Sequence, residues 1–493
     1  MKQKKTGNRW KISDKIAFGI LLVSSVIFAF LVQKVLPFKF WIIFAGVLAI
    51  MNLILFYKLW SMNKKAGKIL QKEGTGIKNP YTGKKRRTKA VCVFLSVLLI
   101  IGSLAAGKGL GTLDEIAGEK YQTQLITVLV QTDSSYEKLK DLDGKKLGYV
   151  SAPDVEKALT EIESGEKVSF EKKVQGTVLD LAKAILDSQV EAIILNEAYR
   201  GLIEDEYGSF PSKTRVIYEY EEKQLLQREE ADIKVTKNSF NVFISGIDTY
   251  GKVSTVSRSD VNMIVTVNPK TKQILMTSIP RDYYVELASF GAMDKLTHAG
   301  IYGVSESMAT LEKEFGITIH YYAKVNFSSL VKIVNALGGI SVYNDQSFTS
   351  FHTQEYYPKG EIYMDGATAL EFVRERYGLA NGDHDRVKNQ AKVLKAMINK
   401  AISPAIITNF GDILDAVSGS VATSMESKDI QAMLQMQIND MAAWDIQQVS
   451  ITGTGTTSSN CYSMPGLRTY VMKPNMDSVN KAVVKINEVM SAK

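Results

Sequence analysis

The chain has 493 residues, is 45% hydrophobic and contains only 10 prolines, which excludes a disordered protein and leaves room for more than one domain. Its charge is unevenly spread: the first 108 residues hold 20 Lys and Arg against 2 Asp and Glu, leaving 40 basic and 50 acidic residues beyond them. The overall charge of +8 therefore belongs to the N-terminal segment, and the acidic remainder is not expected to bind nucleic acid.

Three apolar stretches open the chain, about Ile16 to Leu36, Phe40 to Trp60 and Ala90 to Ala106, each about the length needed to cross a bilayer as a helix. The first is too long for a cleaved signal peptide, and the second follows after three residues. Positive charge collects before Ile16 and between Asn63 and Lys89, so those segments are expected inside and everything after about Lys108 outside. The domains expected are thus 1–108, a tail and three membrane helices; 109–230, an external accessory unit; and 231–493, an external catalytic unit. Of the two cysteines, Cys92 falls inside the third apolar stretch and Cys461 near the far end, so they are not expected to reach each other, and without clustered His and Cys ligands a structural zinc site is not expected.

From Tyr121 to about Tyr220, short apolar runs alternate with helical stretches ("LITVLVQ", "SSYEKLKDLDGKKLGYVS", "VLDLAKAILDSQVEAIILN", "TRVIYEYE"), the pattern of a small α/β domain; the order "LKDLDGKKLGYVS" then "AKAILDSQVEAIILNEAY" resembles half of an extracytoplasmic solute-binding domain, with a spacer or interaction module as the alternative. The charged stretch "EYEEKQLLQREEADIKVTK" marks a boundary near residue 230. A second α/β domain begins at "SFNVFISGID". Asn241 to Gly246 read as a buried strand with Asp248 just past its carboxyl end, where such sheets place ligand groups.

"DVNMIVTVNPKTKQILMTSIPRD" then reads as a hairpin turning at Pro269 to Lys272. If Asn268 opposes Gln273, Asp260 faces Arg281 on the same side of the sheet. Helices closed by glycine follow, then the strand "ISVYN". "MDGATALEFVRERYG" predicts a helix capped by Asp365 with Arg374 and Arg376 in its last turn, and after "LANGDH" a helix from about Asp385 carries an apolar stripe at Val387, Ala391, Leu394, Ile398 and Ala401. Arg386 falls in its first turn, with Gln390 one turn on.

Arg374 and Arg376 could simply complement a helix C-terminus, and Asp383 and Asp385 could cap the next helix. Against that, Arg386 sits at a helix N-terminus, where positive charge is unfavourable unless an anion binds. Several arginines at one sheet edge suit phosphate oxygens, and nearby aspartates suit a hard cation shared with those phosphates.

The motifs "SRSDVNMIVTVNP", "TSIPRD", "KLTHAGIYG", "LVKIVNALGGISV", "DGATALEFVRERY" and "GDHDRVKNQ" resemble, in order and spacing, the LytR-CpsA-Psr family from about Phe240 to the end. Three membrane helices and an intervening domain are similar to its CpsA-like capsule-locus branch in streptococci. The resemblance implies an α-β-α sandwich that acts as a phosphotransferase. It would move a glycopolymer, capsular polysaccharide in that branch, from an undecaprenyl diphosphate carrier to peptidoglycan through a phosphodiester. It also implies Mg²⁺ or Mn²⁺ on Asp248 and Asp260, with Arg258, Arg281, Arg374, Arg376, Arg386 and Gln390 around the diphosphate, Asp383 orienting the arginines and Lys295 in a motif. Asp260, Arg281, Arg374 and Arg376 are the catalytic candidates, Asp260 or another carboxylate near the metal being the candidate base. Val304, Asn389 and Ala391 depart from the family pattern. The expected partners are the lipid-linked glycan, peptidoglycan, the bilayer and other capsule-assembly membrane proteins. A sensor that binds lipid-linked glycan without reacting, and a hydrolase of the diphosphate, remain alternatives.

Overall fold

The computed structural model describes residues 10–73, 79–226, 231–247, 252–403 and 410–493. The chain divides into two compact units, Met1–Asp114 with Lys428–Met441, and Glu115–Ser427 with Ala442–Lys493.

In the first unit, helices α1 (Ile12–Gln33), α2 (Phe38–Glu73) and α3 (Thr82–Ile116) are each long and apolar enough to cross a membrane. Val26, Phe30, Leu53, Phe94 and Leu104 point outward, as side chains do when the solvent is lipid, while Leu21, Leu59 and Cys92 pack between the helices. α2 and α3 run well past the expected spans, so much of the basic segment from Asn63 to Lys89 is helical rather than loop. Lys, Ala, Leu, Gln and Arg are good helix formers and continue the hydrogen-bond ladder beyond the apolar window. Asp14 anchors that end: Asn63 Nδ2 donates to it at 3.2 Å and Lys89 Nζ lies 3.4 Å away, while Lys85 Nζ donates to Asn63 Oδ1 at 2.6 Å.

The second unit holds two sheets. The first has the order β3-β2-β4-β1-β5, with β1 Tyr121–Gln131, β2 Lys146–Val150, β3 Glu171–Gln175, β4 Ala192–Asn196 and β5 Thr214–Leu225. β2 is parallel to β3 and β4, and β1 is antiparallel to β4 and β5. The two-residue period of β1 sends Val128 and Val130 to the core under α4 (Pro153–Glu166) and Leu129 to the core under α5 (Val178–Leu186) and α6 (Arg200–Glu206). The charged stretch expected as a boundary begins as strand: Tyr218 to Leu225 pair with β1, and alternate residues face solvent.

The second sheet has the order β10-β9-β6-β7-β8-β11, with β6 Phe240–Ile247, β7 Ser259–Asn268, β8 Gln273–Ile279, β9 Tyr321–Asn326, β10 Val421–Thr423 and β11 Asp445–Ser450. Neighbouring residues divide between its faces. Phe243, Ile264 and Tyr322 enter the core with α7 (Val304–Phe315) and α12 (Met476–Ser491), whereas Ile244, Met263 and Ala323 face α8 (Phe327–Ala336), α9 (Gly366–Arg374) and α10 (Asp383–Ala401). Helices on both faces of a mixed sheet make this part an α-β-α sandwich, the α/β class expected. Along the chain α11 (Ser427–Asp440), which belongs with the first unit from Lys428 on, precedes β11, and the hairpin β12 (Gly453–Cys461) to β13 (Met464–Pro474) follows it.

Candidate active site

The hairpin β7–β8 carries the first half of the site. Its register runs from Asn268 opposite Gln273 to Asn262 opposite Ile279, and two residues further along Asp260 and Arg281 meet as the turn position predicts. Arg281 Nη1 donates to Asp260 Oδ1 at 2.6 Å, and Thr297 Oγ1 reaches the same oxygen at 3.5 Å. Asp282 extends the array, 3.7 Å from Arg281 Nε and 3.4 Å from Lys295 Nζ. Gly300 lets the segment carrying Thr297 lie against this edge: a Cβ there would stand 2.5 Å from Ser257 O and 2.9 Å from Ser259 N.

The second half comes from the chain between α9 and α10. Asp365 caps α9, accepting from Thr368 N at 2.9 Å, but the helix ends at Arg374 and Arg376 lies beyond it, not in its last turn. The cause is Glu375, whose fully buried carboxylate accepts from the backbone N–H groups of Phe351 (2.7 Å), Arg376 (2.8 Å) and Gly378 (2.8 Å). These bonds turn the chain out of the helix between two exposed arginines. Burial alone would raise the pKa of Glu375; the hydrogen bonds more than offset it and hold the carboxyl below its usual range. Its stabilisation is therefore complete at neutral pH and fades as the pH falls below about 4.3 through the lowered folded value. Glu375→Ala leaves three backbone donors without their acceptor and should cost about 3 kcal/mol in chemical denaturation. A cost under about 1 kcal/mol would mean that the loop is shaped by something else.

α10 starts at Asp383, two residues earlier than expected. Asp385 holds its entry, accepting from Asn381 N at 3.0 Å and Gln346 Nε2 at 2.8 Å, whereas Asp383 pairs with Arg386. Arg386 lies in the first turn as expected. Its Nε and that of Arg281 are buried without a hydrogen-bond partner among the described residues, although Asp282 lies 3.7 Å from Arg281 Nε, so both guanidinium groups keep a donor available to a bound acceptor.

Charge coupling shows which groups share the site. Burial would raise the pKa of Asp260, but Arg281, Arg258 and Arg386 outweigh it and hold the carboxyl low. Burial likewise lowers Arg386, opposed by Asp383 and reinforced by the like charges of Arg281 and Arg376. Burial would lower Arg281 as well, yet Asp260 and Asp282 raise it. Arg281 and Arg386 thus lie against Asp260 and Asp383, with the charge of Arg376 felt at Arg386, an arrangement that attracts a multiply charged anion. Arg258 also acts on Asp260, but its Nη1 donates to Asp205 of α6 at 2.5 Å. Gln390 Nε2 turns away, towards Val373 O at 3.4 Å. Asp248, the other expected metal ligand, lies outside the described residues.

Gln390 and Val373 lead to an apolar cavity of about 160 Å³ between the sheet and α8, α9 and α10, lined also by Ile244, Met263, Ala323 and Leu394. Gly246 lets β6 and β7 approach there, since a Cβ would fall 2.6 Å from Val261 Cβ. The arginine cluster therefore adjoins an apolar slot.

The LytR_cpsA_psr family model matches residues 210–479. The chain belongs to this family. A polyisoprenyl-teichoic acid–peptidoglycan teichoic acid transferase TagU of Enterococcus faecalis is 36% identical over 225 residues, 44% of this chain and 72% of that one. The TagU of Oceanobacillus iheyensis is 34% identical over 239 residues, 47% and 72% of the two chains. A crystal structure of TagV from B. subtilis shares 28% identity over 52% of this chain and 99% of that one, with a TM-score of 0.44. A second family model, NMT1/THI5 like, matches residues 115–237.

Three further residues of the site, Glu375, Asp282 and Thr297, lie inside the motifs "DGATALEFVRERY", "TSIPRD" and "KLTHAGIYG" but are not singled out in the sequence; their contacts assign them. Among the described residues no group of three or more His, Cys, Asp or Glu is poised for a metal. Mg²⁺ is commonly held by one or two carboxylates together with substrate phosphates, so the donor set present fits a cation completed by substrate.

Proposed function

We propose that this protein transfers a glycopolymer from an undecaprenyl diphosphate carrier to peptidoglycan, forming a phosphodiester. The observation that carries the reading is the cluster of Arg281, Arg376 and Arg386, with two buried unpaired N–H groups, beside an apolar slot. A lipid diphosphate matches that pairing of charge and apolar surface. The teichoic acid transfer to peptidoglycan that names the TagU relatives supports the same reading. We take the polymer to be capsular polysaccharide, on the resemblance of the three-helix anchor and intervening domain to the capsule-locus branch.

In the reaction a peptidoglycan hydroxyl attacks the phosphorus attached to the glycan. The bond from that phosphorus to the bridging oxygen breaks, and the lipid leaves as its monophosphate. Arg281, Arg374, Arg376 and Arg386 hold the phosphate oxygens and stabilise charge as it shifts to the leaving group. Asp383 orients Arg386. A bound Mg²⁺ or Mn²⁺ would neutralise further phosphate charge, and Asp248 and Asp260 are the residues that would hold it. The low pKa of Asp260 suits that role and makes it a weak base for the hydroxyl proton. The slot is smaller than the roughly 300–1,000 Å³ of typical ligand sites and must widen for an isoprenoid chain.

The test is product analysis after incubation with lipid-diphosphate glycan, Mg²⁺ and peptidoglycan. A glycan-phosphate-peptidoglycan adduct supports transfer; free glycan phosphate would mean hydrolysis, and unchanged lipid would mean binding alone. The reaction needs the second unit outside the cell, and the charge asymmetry supports that orientation. Protease added to intact protoplasts should remove the large domain, and its complete protection would contradict that orientation.

A further inference from the structure

A second cleft, of about 830 Å³, lies where the five-stranded sheet meets the turn of the β12–β13 hairpin. It opens at the carboxyl ends of β2 and β4, the edge of a parallel sheet at which ligands habitually bind, and its volume is within the range of ligand sites.

One wall is aromatic. The rings of Phe290 and Tyr462 lie 4.9 Å apart between centroids and those of Phe290 and Tyr302 4.5 Å apart, with Phe290 and Tyr462 remaining 40% and 46% exposed. The rest of the lining combines apolar side chains with the polar Gln124, Asp154, Thr177 and Asn196 and the charged pair Lys157 and Glu222. Asn196 Nδ2 donates to Asp154 Oδ2 at 2.6 Å and to Gln124 Oε1 at 3.2 Å. Lys157, the cation of the lining, is already paired with Glu222. Exposed rings facing amide and carboxylate groups suit a ligand with an apolar C–H face and hydroxyls around its edge, and the paired lysine disfavours a phosphate.

We propose that this cleft binds a neutral glycan segment, its sugar faces stacked on Phe290 and Tyr462 and its hydroxyls on Asp154, Asn196 and Gln124. The proposal deepens the transfer reading and rests on it only for the source of the sugar, which is either the peptidoglycan strand or the carrier-linked polymer. The cleft is tied to the arginine cluster through one short strand, Met293–Lys295. Tyr302 Oη meets Ser463 Oγ at 3.0 Å, Ser463 Oγ donates to Asp294 Oδ2 at 2.6 Å, and the next residue, Lys295, reaches Asp282 beside Arg281. A glycan held in the cleft is thus positioned by the same framework that positions the diphosphate.

The test is calorimetric titration of the full-length protein in detergent with two probes: peptidoglycan glycan oligomers freed of stem peptides, and the dephosphorylated oligosaccharide repeat of the wall polymer. Binding of the first assigns the cleft to the acceptor and of the second to the donor, and either supports the proposal. Phe290→Ala with Tyr462→Ala should weaken that binding at least tenfold, and the shape-conserving Asp154→Asn severalfold. If neither probe binds, or if wild type and the double variant bind equally, the proposal is overturned. Loss of transfer with sugar binding intact would instead remove the transfer reading, and transfer without sugar binding would remove only the cleft.

Discussion

Replacing Arg374 and Arg376 together by alanine should lower transfer at least about 10³-fold, since removing a single donor to developing charge commonly costs 10²–10³. Both side chains are exposed, so the unfolding free energy should change by under about 1 kcal/mol. The contrast with Glu375 between them is the informative part. The arginines are presented and the glutamate is anchored, so the variants separate function from stability within three residues. Transfer by the double variant at the wild-type rate would return these arginines to ordinary surface charge.

Asp260→Asn should have an effect on transfer of similar size, about 10²–10³-fold, for a different reason. Asparagine keeps the shape and can still accept from Arg281, but it removes the charge that a hard cation needs. The protein should stay folded at neutral pH, with a loss of about 1–3 kcal/mol from the weakened pair. Because the folded pKa of Asp260 is lowered, its contribution to stability is complete above about 3.9 and is lost only as pH falls through that lowered value. An acid limb in the transfer profile above pH 5 therefore belongs to another group. Excess chelator should bring wild type down to the level of the variant, and full metal-dependent turnover by Asp260→Asn would remove Asp260 from the cation site.

The pairing of Asp260 with Arg281 was legible because a hairpin with a defined turn obeys a fixed register, which converts sequence distance into spatial contact. The apolar helices, the buried strand β6 and the cap at Asp365 were legible for the same kind of local reason. The end of α9 was not. Arg376 continues a helical pattern, and what stops the helix is a buried carboxylate whose donors include Phe351, 24 residues earlier. Nor could periodicity separate the residues of the apolar slot from core: Leu394 belongs to the expected apolar stripe, yet it faces the cavity. Gln390 shares that fate, placed correctly one turn after Arg386 but directed to Val373. Such assignments depend on packing between elements distant in sequence, which no local pattern records.

The most direct measurement follows the phosphorus. Lipid-linked glycan carrying a radioactive label only in the phosphate attached to the sugar is incubated with the wild-type protein, Mg²⁺ and peptidoglycan. Transfer as proposed predicts that the label enters peptidoglycan in step with the release of unlabelled lipid monophosphate. Label that stays with the lipid, or that appears in solution as glycan phosphate while the peptidoglycan remains unlabelled, would contradict it.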